Sequence, residues 1–381
     1  MSAEPLRILL ANDHLGWGGT VLHGVGKLFL LSIPRFDPAR VRVVPVILRR
    51  RDALARAFDE AGISIRFLAR GKFDPRTYFD LRRIVGEERI DVLHLQGYGA
   101  ATFGRLVAAR TGVPAVVTVH SVDPRYPRYM RLPDRLLARR TARFLYMNDT
   151  LRDFCVQRCS APLPALEKLP LGIDLAAFRG GPDKEEARRA IGIGENEAPV
   201  VGTVTRLFEQ KGNRYLLEAW RTVAARVPRA VLVVAGDGPE RAALEESARA
   251  HGLAGRTRFL GFRDDVPAVL RAFDVAVLAS LWEATPLAGF ESMAAGLPIV
   301  ATAVDGLSEV LEDGRTALLV PPASPSALAA AILRLADDAA LAERLAGAAR
   351  EESRRYSIEE HVRRLTEVYE SAAAASREAA R

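Results

Sequence analysis

Glu283 and Glu291 stand eight residues apart in the stretch Ser280-Leu-Trp-Glu-Ala-Thr-Pro-Leu-Ala-Gly-Phe-Glu-Ser-Met-Ala-Ala-Gly296. Carboxylates accept hydrogen bonds, and two of them suit the hydroxyls of a sugar or a ribose. Arg206 and Lys211 bracket a second short segment, Thr205-Arg-Leu-Phe-Glu-Gln-Lys-Gly212. Two cations at a turn that opens a helix make a diphosphate site, because the first N–H groups of the helix point at the same anion. His94, in Asp-Val-Leu-His-Leu-Gln-Gly, and His120, in Val-Val-Thr-Val-His-Ser, each sit at the end of an apolar segment. A histidine in that position is usually a hydrogen-bonded structural residue, and otherwise a site residue. The turn Asn12-Asp-His-Leu-Gly-Trp-Gly-Gly-Thr20 carries Gly18 and Gly19 between a strand and a helix pattern. That order suits a phosphate, although it has neither the dinucleotide nor the P-loop spacing.

Those residues need a scaffold that brings strand ends and helix starts together. Short apolar segments recur at residues 7–11, 41–48, 63–67, 91–95, 115–119, 143–147, 166–169, 199–204, 231–235, 257–260, 274–279, 297–301 and 318–322. Helical patterns separate most of them, the first over 21–32, another over 213–225 and three at the end over 324–335, 339–352 and 357–378. Strands alternating with helices of 10 to 15 residues predict doubly wound parallel sheets, which bind ligands at the carboxyl ends of their strands. Pro286 falls near a helix start, where its missing N–H costs nothing. The polar run Arg179-Gly-Gly-Pro-Asp-Lys-Glu-Glu186 is the best linker. It divides the chain into a first domain over 1–178 and a second over 190–355, with a last helix over 356–381.

A chain of 381 residues with 49% hydrophobic residues is long and apolar enough for two cores. No apolar run reaches the roughly 18 residues of a spanning helix. The start, Met-Ser-Ala-Glu-Pro, has no export pattern, and two cysteines, Cys155 and Cys159, fit a reduced cytoplasmic compartment. No Asp-x-Asp pair occurs, so no metal is required to hold a diphosphate, and no cofactor is expected. Residues 1–180 hold 29 Lys and Arg against 17 Asp and Glu, a net +12, and the remainder is −5, giving the +7 of the whole chain. Residues 124–143 alone carry seven arginines, among them Arg125, Arg128, Arg131, Arg135 and Arg139, interleaved with Tyr126, Tyr129, Met130, Leu132, Leu136 and Leu137. The plain reading is a solvated helix face. The sharper one is a segment that meets an anionic membrane surface or a lipid-linked acceptor.

The stretch 280–296 followed by Leu-Pro-Ile-Val-Ala-Thr302, and the segment Arg206-Leu-x-x-x-Lys-Gly212, resemble the signatures of retaining glycosyltransferases of the GT-B fold, family 4. The resemblance runs from the Gly18–Gly19 loop to Pro322. It implies two Rossmann-like domains facing across a cleft, the second holding a UDP- or GDP-sugar and the first an acceptor. On that likeness Glu283 meets the donor sugar, Glu291 the ribose, and Arg206 and Lys211 the diphosphate. Pro286 and Leu287 sit at the donor, Gly18 and Gly19 at its phosphates, and Gly261 and Phe262 at the base. His120 points at the sugar. The catalytic set is then His120, Glu283, Arg206 and Lys211. The last helix commonly crosses back onto the first domain. Two positions depart from the family pattern: Leu171 replaces an Asn, and Asp305 replaces the first Gly of a Gly-Gly-x-x-Glu motif.

The expected reaction is transfer of a glycosyl group with retention to an acceptor hydroxyl, in synthesis of a glycolipid or polysaccharide. A sugar-nucleotide epimerase or a non-catalytic sugar-nucleotide-binding protein would use similar residues, and would respectively need no acceptor or release no nucleoside diphosphate. Nucleic acid is not an expected partner, since no aromatic-basic RNA signature or DNA-binding motif is present.

Overall fold

The computed structural model describes residues 4–17, 21, 22, 24–120, 128–283 and 286–379. The chain separates into two units, Met1–Gly172 with Ile358–Arg381, and Ile173–Ser357. The division falls at Gly172/Ile173, upstream of the polar run 179–186, which lies inside the second unit and runs into a helix. Linker-like composition there reflects an exposed helix start, capped by the Asp183 carboxylate on the N–H of Glu186.

Unit 1 contains strands β1 (Leu6–Asn12), β2 (Gly16–Trp17), β3 (Val21–Leu22), β4 (Val41–Ile47), β5 (Arg66–Phe67), β6 (Val92–Gln96), β7 (Ala115–Thr118), β8 (Thr141–Tyr146) and β9 (Leu166–Lys168). Its helices are α1 (Gly24–Ser32), α2 (Ala55–Glu60), α3 (Arg76–Glu87), α4 (Tyr98–Thr111), α5 (Arg128–Leu137) and α6 (Asp149–Gln157). Seven strands form one parallel sheet in the order β5-β4-β1-β6-β7-β8-β9. Successive residues of β1 feed opposite faces, as the two-residue period of a strand requires. Leu9 and Ala11 join the core beneath α3 and α4, and Leu10 joins the one containing Phe29 and Phe58.

Two segments are shorter than the sequence pattern suggests. The helix expected from Val21 starts at Gly24, because Val21–Leu22 pairs with Gly16–Trp17 in a small antiparallel hairpin. The strand expected over 63–67 is only Arg66–Phe67, since Ile63 turns into the core next to α2. Cys155 and Cys159 are free and buried, and burial pushes the Cys155 thiol up to about 12.

Unit 2 contains β10 (Val200–Val204), β11 (Val231–Ala235), β12 (Thr257–Gly261), β13 (Val275–Leu278), β14 (Ile299–Thr302) and β15 (Leu318–Val320). Between and after them lie α7 (Lys184–Ala190), α8 (Asn213–Arg226), α9 (Arg241–Ala250), α10 (Val266–Arg271), α11 (Leu287–Ala294), α12 (Asp305–Ser308), α13 (Pro325–Asp337) and α14 (Ala339–Ser353). The sheet is again parallel, in the order β12-β11-β10-β13-β14-β15. The order reverses at β10, where β11 and β13 flank it, and this is the switch point at which such sheets open a ligand crevice. Trp220 of α8 is fully buried in the core beneath. The last helix, α15 (Ile358–Ala379), belongs to unit 1 and buries Val362, Leu365 and Tyr369.

Candidate functional site

The carboxyl ends of β10 and β13 and the start of α11 line a small pocket in unit 2, with Thr203, Lys211, Ser280, Glu283, Pro286 and Ala288 among its walls. Gly212 makes this arrangement fit. It adopts φ +60°, and a Cβ on it would sit 2.1 Å from the carbonyl oxygen of Ala279. Only glycine lets the loop after β10 lie this close to the end of β13. The loops are then tied by the N–H of Leu281, which donates to the Gln210 carbonyl at 2.7 Å.

Glu283 is buried, with a side chain 6% exposed, and its carboxylate pairs with the Lys211 ammonium. Ser280 Oγ and the Gln210 amide approach the same carboxylate at 3.4 Å each, and Gln210 also donates to the Trp282 carbonyl at 3.0 Å. Thr302 at the end of β14 donates to the Ser280 carbonyl at 2.6 Å, and the N–H of Gly306 donates to that of Glu283 at 3.1 Å. The backbone of residues 280–283 is therefore held from two neighbouring elements. Arg206 differs from Lys211. It is exposed, stacks 5.2 Å over the Phe208 ring, and pairs with no carboxylate among the described residues.

Among the described residues, two helices begin here without a side-chain cap, α8 after Gly212 and α11 after Pro286. Helix starts of this kind suit an anion. Unit 1 treats the corresponding helix start differently. The carboxylate of Asp13, at the end of β1, accepts from the N–H groups of Gly99 at 3.0 Å and Ala100 at 2.7 Å, so α4 is already capped by an anion of the protein's own. Among the described residues, the uncapped helix starts beside a cation–carboxylate pair are those of unit 2.

Pro286 is buried as the residue before α11, one position ahead of the first helical turn, and Leu287 opens the helix, half-buried. Glu291 lies on α11, half-buried. Gly261 ends β12 at φ +71°, and Phe262 beyond it is 55% exposed, an open apolar ring suited to stacking. Gly18, Gly19 and Arg125 lie outside the described residues. His120 sits two residues past β7, half-buried, with Nε2 2.6 Å from Gln96 Oε1. His94 is buried inside the sheet, and burial, then the charges of His120 and His361, hold it near 3, so it is neutral.

Sequence reasoning overlooked Ser280, Gln210 and Gln96 as functional residues. Gln96 carried a signal: it is two residues from His94 on one strand, hence on the same face. Gln210 carried none, because its partners lie 72 and 73 residues away.

Of the basic segment, α5 buries Met130, Asp134 and Leu137 on one side and exposes Tyr129, Leu132 and Leu136 on another. Arg135 and Arg139 are exposed, whereas Arg131 is half-buried with its Nε enclosed. Arg131 is thus not a solvated charge, because Asp134 draws that side of the helix inward onto Arg105 of α4 in a buried ion pair.

Known proteins agree with this architecture. The group 1 glycosyl transferase family matches residues 198–338, and the description Glycosyltransferase Family 4 applies to a match over residues 30–177. The alpha-D-kanosaminyltransferase of Streptomyces kanamyceticus is 32% identical over 70% of this chain and 72% of its own length. The UDP-Gal:alpha-D-GlcNAc-diphosphoundecaprenol alpha-1,3-galactosyltransferase of Escherichia coli is 28% identical over 70% of this chain and 72% of its own. In fold, Anabaena Alr3699/HepE, solved with UDP and glucose, matches with a TM-score of 0.78 at 20% identity, over 97% of this chain and 100% of that one. Two parallel-sheet Rossmann-like units define a GT-B protein, and the chain belongs to the glycosyltransferases of that fold. Its activity is transfer of a sugar from a nucleotide-sugar donor to an acceptor.

Proposed function

We propose that this chain is a retaining, metal-independent family 4 transferase that moves a hexosyl group from a UDP- or GDP-sugar to a hydroxyl of a lipid-linked glycan at the cytoplasmic face of a membrane. The observation that carries the donor half is the pocket at the sheet's switch point, where Lys211 and Glu283 meet beside two uncapped helix starts. The leaving nucleoside diphosphate gains negative charge as the glycosidic bond breaks. Arg206, Lys211 and the N–H groups opening α8 and α11 stabilise that charge in the transition state. Glu283 and Glu291 hold sugar and ribose hydroxyls, Pro286 and Leu287 shape the donor loop, and Gly261 and Phe262 receive the base. His120 serves the transferred sugar from unit 1. Attack on the face the leaving group departs from, within an ion-pair-like state, gives retention without a covalent nucleophile. Metal independence rests on the missing Asp-x-Asp pair, with the two cations Arg206 and Lys211 taking a metal's place at the diphosphate.

The acceptor half rests on α5. Tyr129, Leu132 and Leu136 are 62%, 62% and 68% exposed on one face, with Arg135 beside them, and Phe73 packs edge-on against Tyr129 with ring centroids 5.9 Å apart. An exposed apolar stripe flanked by arginine suits an anionic bilayer surface. Among the described residues no helix is long and apolar enough to cross a membrane. The relatives' names include acceptors of two kinds, 2-deoxystreptamine and a diphosphoundecaprenol-linked sugar.

The test is nucleoside diphosphate release from a panel of UDP- and GDP-sugars in EDTA, with lipid-linked glycans or aminocyclitols as acceptors, and proton NMR of the product's anomeric configuration. Acceptor-dependent release in EDTA, retention, and loss in Lys211→Ala and Glu291→Ala support the reading. An inverted product, or release that requires added Mg²⁺, refutes the mechanistic half. Turnover with aminocyclitols alone, or unchanged anionic-liposome binding in Leu132→Ser/Leu136→Ser, refutes the acceptor half.

A further inference from the structure

Another pocket is lined wholly by residues of unit 1. It sits at the carboxyl ends of four neighbouring strands: Gln96 ends β6, Thr118 ends β7, Met147 follows β8 and Leu169 follows β9. Parallel sheets bind ligands at that edge. Helices α1 and α15 close the pocket with Leu28, Phe29, Ser32, His361 and Leu365. The close approach of α15 depends on Gly172, where a Cβ would lie 2.8 Å from the His361 Cβ and from the Ile358 Cα. Leu171, one of the two departures from the family pattern, forms part of the apolar wall. The enclosed space is about 10 Å³, room for one group the size of a water.

Most polar groups around this space are bonded to one another or to the helix behind. His94 Nδ1 meets the Tyr369 hydroxyl at 2.7 Å, its Nε2 meets Thr118 Oγ1 at 2.7 Å, and Gln96 Oε1 is 2.6 Å from His120 Nε2. Two groups differ. Ser32 is 3% exposed, and its hydroxyl has no hydrogen-bond partner among the described residues. His361 is 6% exposed, and Nδ1 makes its one described hydrogen bond, to the Pro170 carbonyl oxygen at 2.8 Å. A carbonyl oxygen only accepts, so Nδ1 carries the proton and Nε2 is left with a lone pair. Burial holds the His361 pKa at about 4, against the Pro170 bond that raises it, so the ring is neutral near pH 7.

That lone pair decides what fits. Carboxylate and phosphate oxygens only accept, and it repels them. An ammonium would donate to it, but among the described residues the lining holds no Asp or Glu to offset the burial of a charge. A hydroxyl is uncharged, donates one hydrogen bond, accepts another and has the size of the space. We propose that this pocket is a subsite for one hydroxyl of the acceptor, which donates to His361 Nε2 and accepts from the Ser32 hydroxyl. The proposal rests on the reading that unit 1 receives the acceptor. It deepens that reading by making the group recognised there an uncharged hydroxyl, read by a side chain of the last helix.

The experiment has a binding arm and a kinetic arm, both on the full chain. In the first, protein labelled with ¹⁵N-histidine is titrated with methanol, methylammonium and formate, and the His361 Nε2 resonance is followed. Methanol is expected to shift it saturably, and the two ions are not. In the second, acceptor KM, kcat and donor Kd are measured with a diphosphoundecaprenol-linked sugar and with 2-deoxystreptamine as acceptors. His361→Asn keeps an N–H for the Pro170 carbonyl and removes the acceptor nitrogen, and Ser32→Ala removes the other partner. Each is expected to raise acceptor KM about tenfold, with kcat and donor Kd changed by less than about threefold. A purely structural role would move donor Kd and kcat as well.

An Nε2 resonance that methanol leaves unmoved means that the pocket holds a water and no ligand hydroxyl, and overturns the proposal without any variant having to fold. A shift with formate or methylammonium overturns the choice of an uncharged group. Wild-type acceptor KM in both variants overturns the assignment to the acceptor. Absence of turnover with either acceptor in the wild type is a failure of the transferase reading, and the methanol titration then still decides whether the pocket takes a hydroxyl.

Discussion

The proposed function gives Lys211 and Glu283 two roles that mutation can separate. Their pairing holds the donor loop, and each is assigned a different part of the donor. The Glu283 side chain is 6% exposed and that of Lys211 15%, so the pair is largely out of water. At an effective dielectric of about 20, unit charges about 3 Å apart attract by roughly 5 kcal/mol. Ser280 and Gln210 remain near the carboxylate if Lys211 is lost, which recovers part of that. Lys211→Met should therefore destabilise by about 3 kcal/mol, because a buried carboxylate loses its cation. For a domain of this size that is a melting shift of about 6 to 12 °C. Glu283→Gln should cost less, since the amide still accepts a hydrogen bond. In Lys211→Met/Glu283→Gln neither charge is stranded, so stability should return to within about 1 kcal/mol of wild type. Activity should not return, because the diphosphate still lacks its cation. Urea unfolding of all four proteins gives the coupling energy, and donor titration with turnover gives the function. Additive single losses, with a coupling below about 0.5 kcal/mol, would refute the claim that the two charges support each other. Recovery of turnover in the double variant would refute the assignment of Lys211 to the phosphates.

Acid should weaken unit 1 through His94 and His361, both buried and held at about 3 and about 4 mainly by desolvation. Unfolded histidine titrates near 6.5, so below that pH the unfolded chain takes up protons that the folded chain refuses. The stabilisation is complete above about pH 6.5 and falls as pH drops, by about 5 kcal/mol for the pair at pH 4.5. Urea melts from pH 7 to 4.5 should show this slope reduced in His361→Asn, and an unchanged slope would count against it. Asp134→Ala strands the Arg105 guanidinium, whose side chain is 1% exposed, and should cost about 3 to 5 kcal/mol in the same melts. A loss under about 1 kcal/mol would show that water reaches the site. Gly212→Ala places a methyl 2.1 Å from the Ala279 carbonyl oxygen at a positive φ, so the donor loop must move. Donor affinity by calorimetry should fall at least about tenfold, and a wild-type Kd would show that the close approach is dispensable.

The repeating strand–helix pattern was legible because buried parallel strands require short apolar runs and the helices between them keep their own period. Arg206, Lys211, Glu283 and Glu291 were legible because each lies on a local strand–turn–helix unit, where sequence spacing translates directly into position. Misjudged boundaries came from neighbouring contacts that the apolar pattern does not disclose. The hairpin partner of Val21–Leu22 shortened α1, and the inward turn of Ile63 shortened β5. Arg131 read as surface charge because nothing in its neighbourhood discloses that Asp134 is drawn into α4 by Arg105, 29 residues away. The network through His94, Gln96, His120 and Tyr369 was out of reach for the same reason. His94 and Gln96 share one face of one strand, but His120 comes from the mouth of the next strand and Tyr369 from the last helix, and no local spacing links these to that pair. The sequence by itself determined the fold class and the reaction class and proposed the residues of an anion site, all of them read from periodicity, turn chemistry and local motifs. Only the tertiary structure decided which charges are paired and which histidine is neutral. Those properties depend on desolvation and on hydrogen-bond partners that folding brings together from remote parts of the chain.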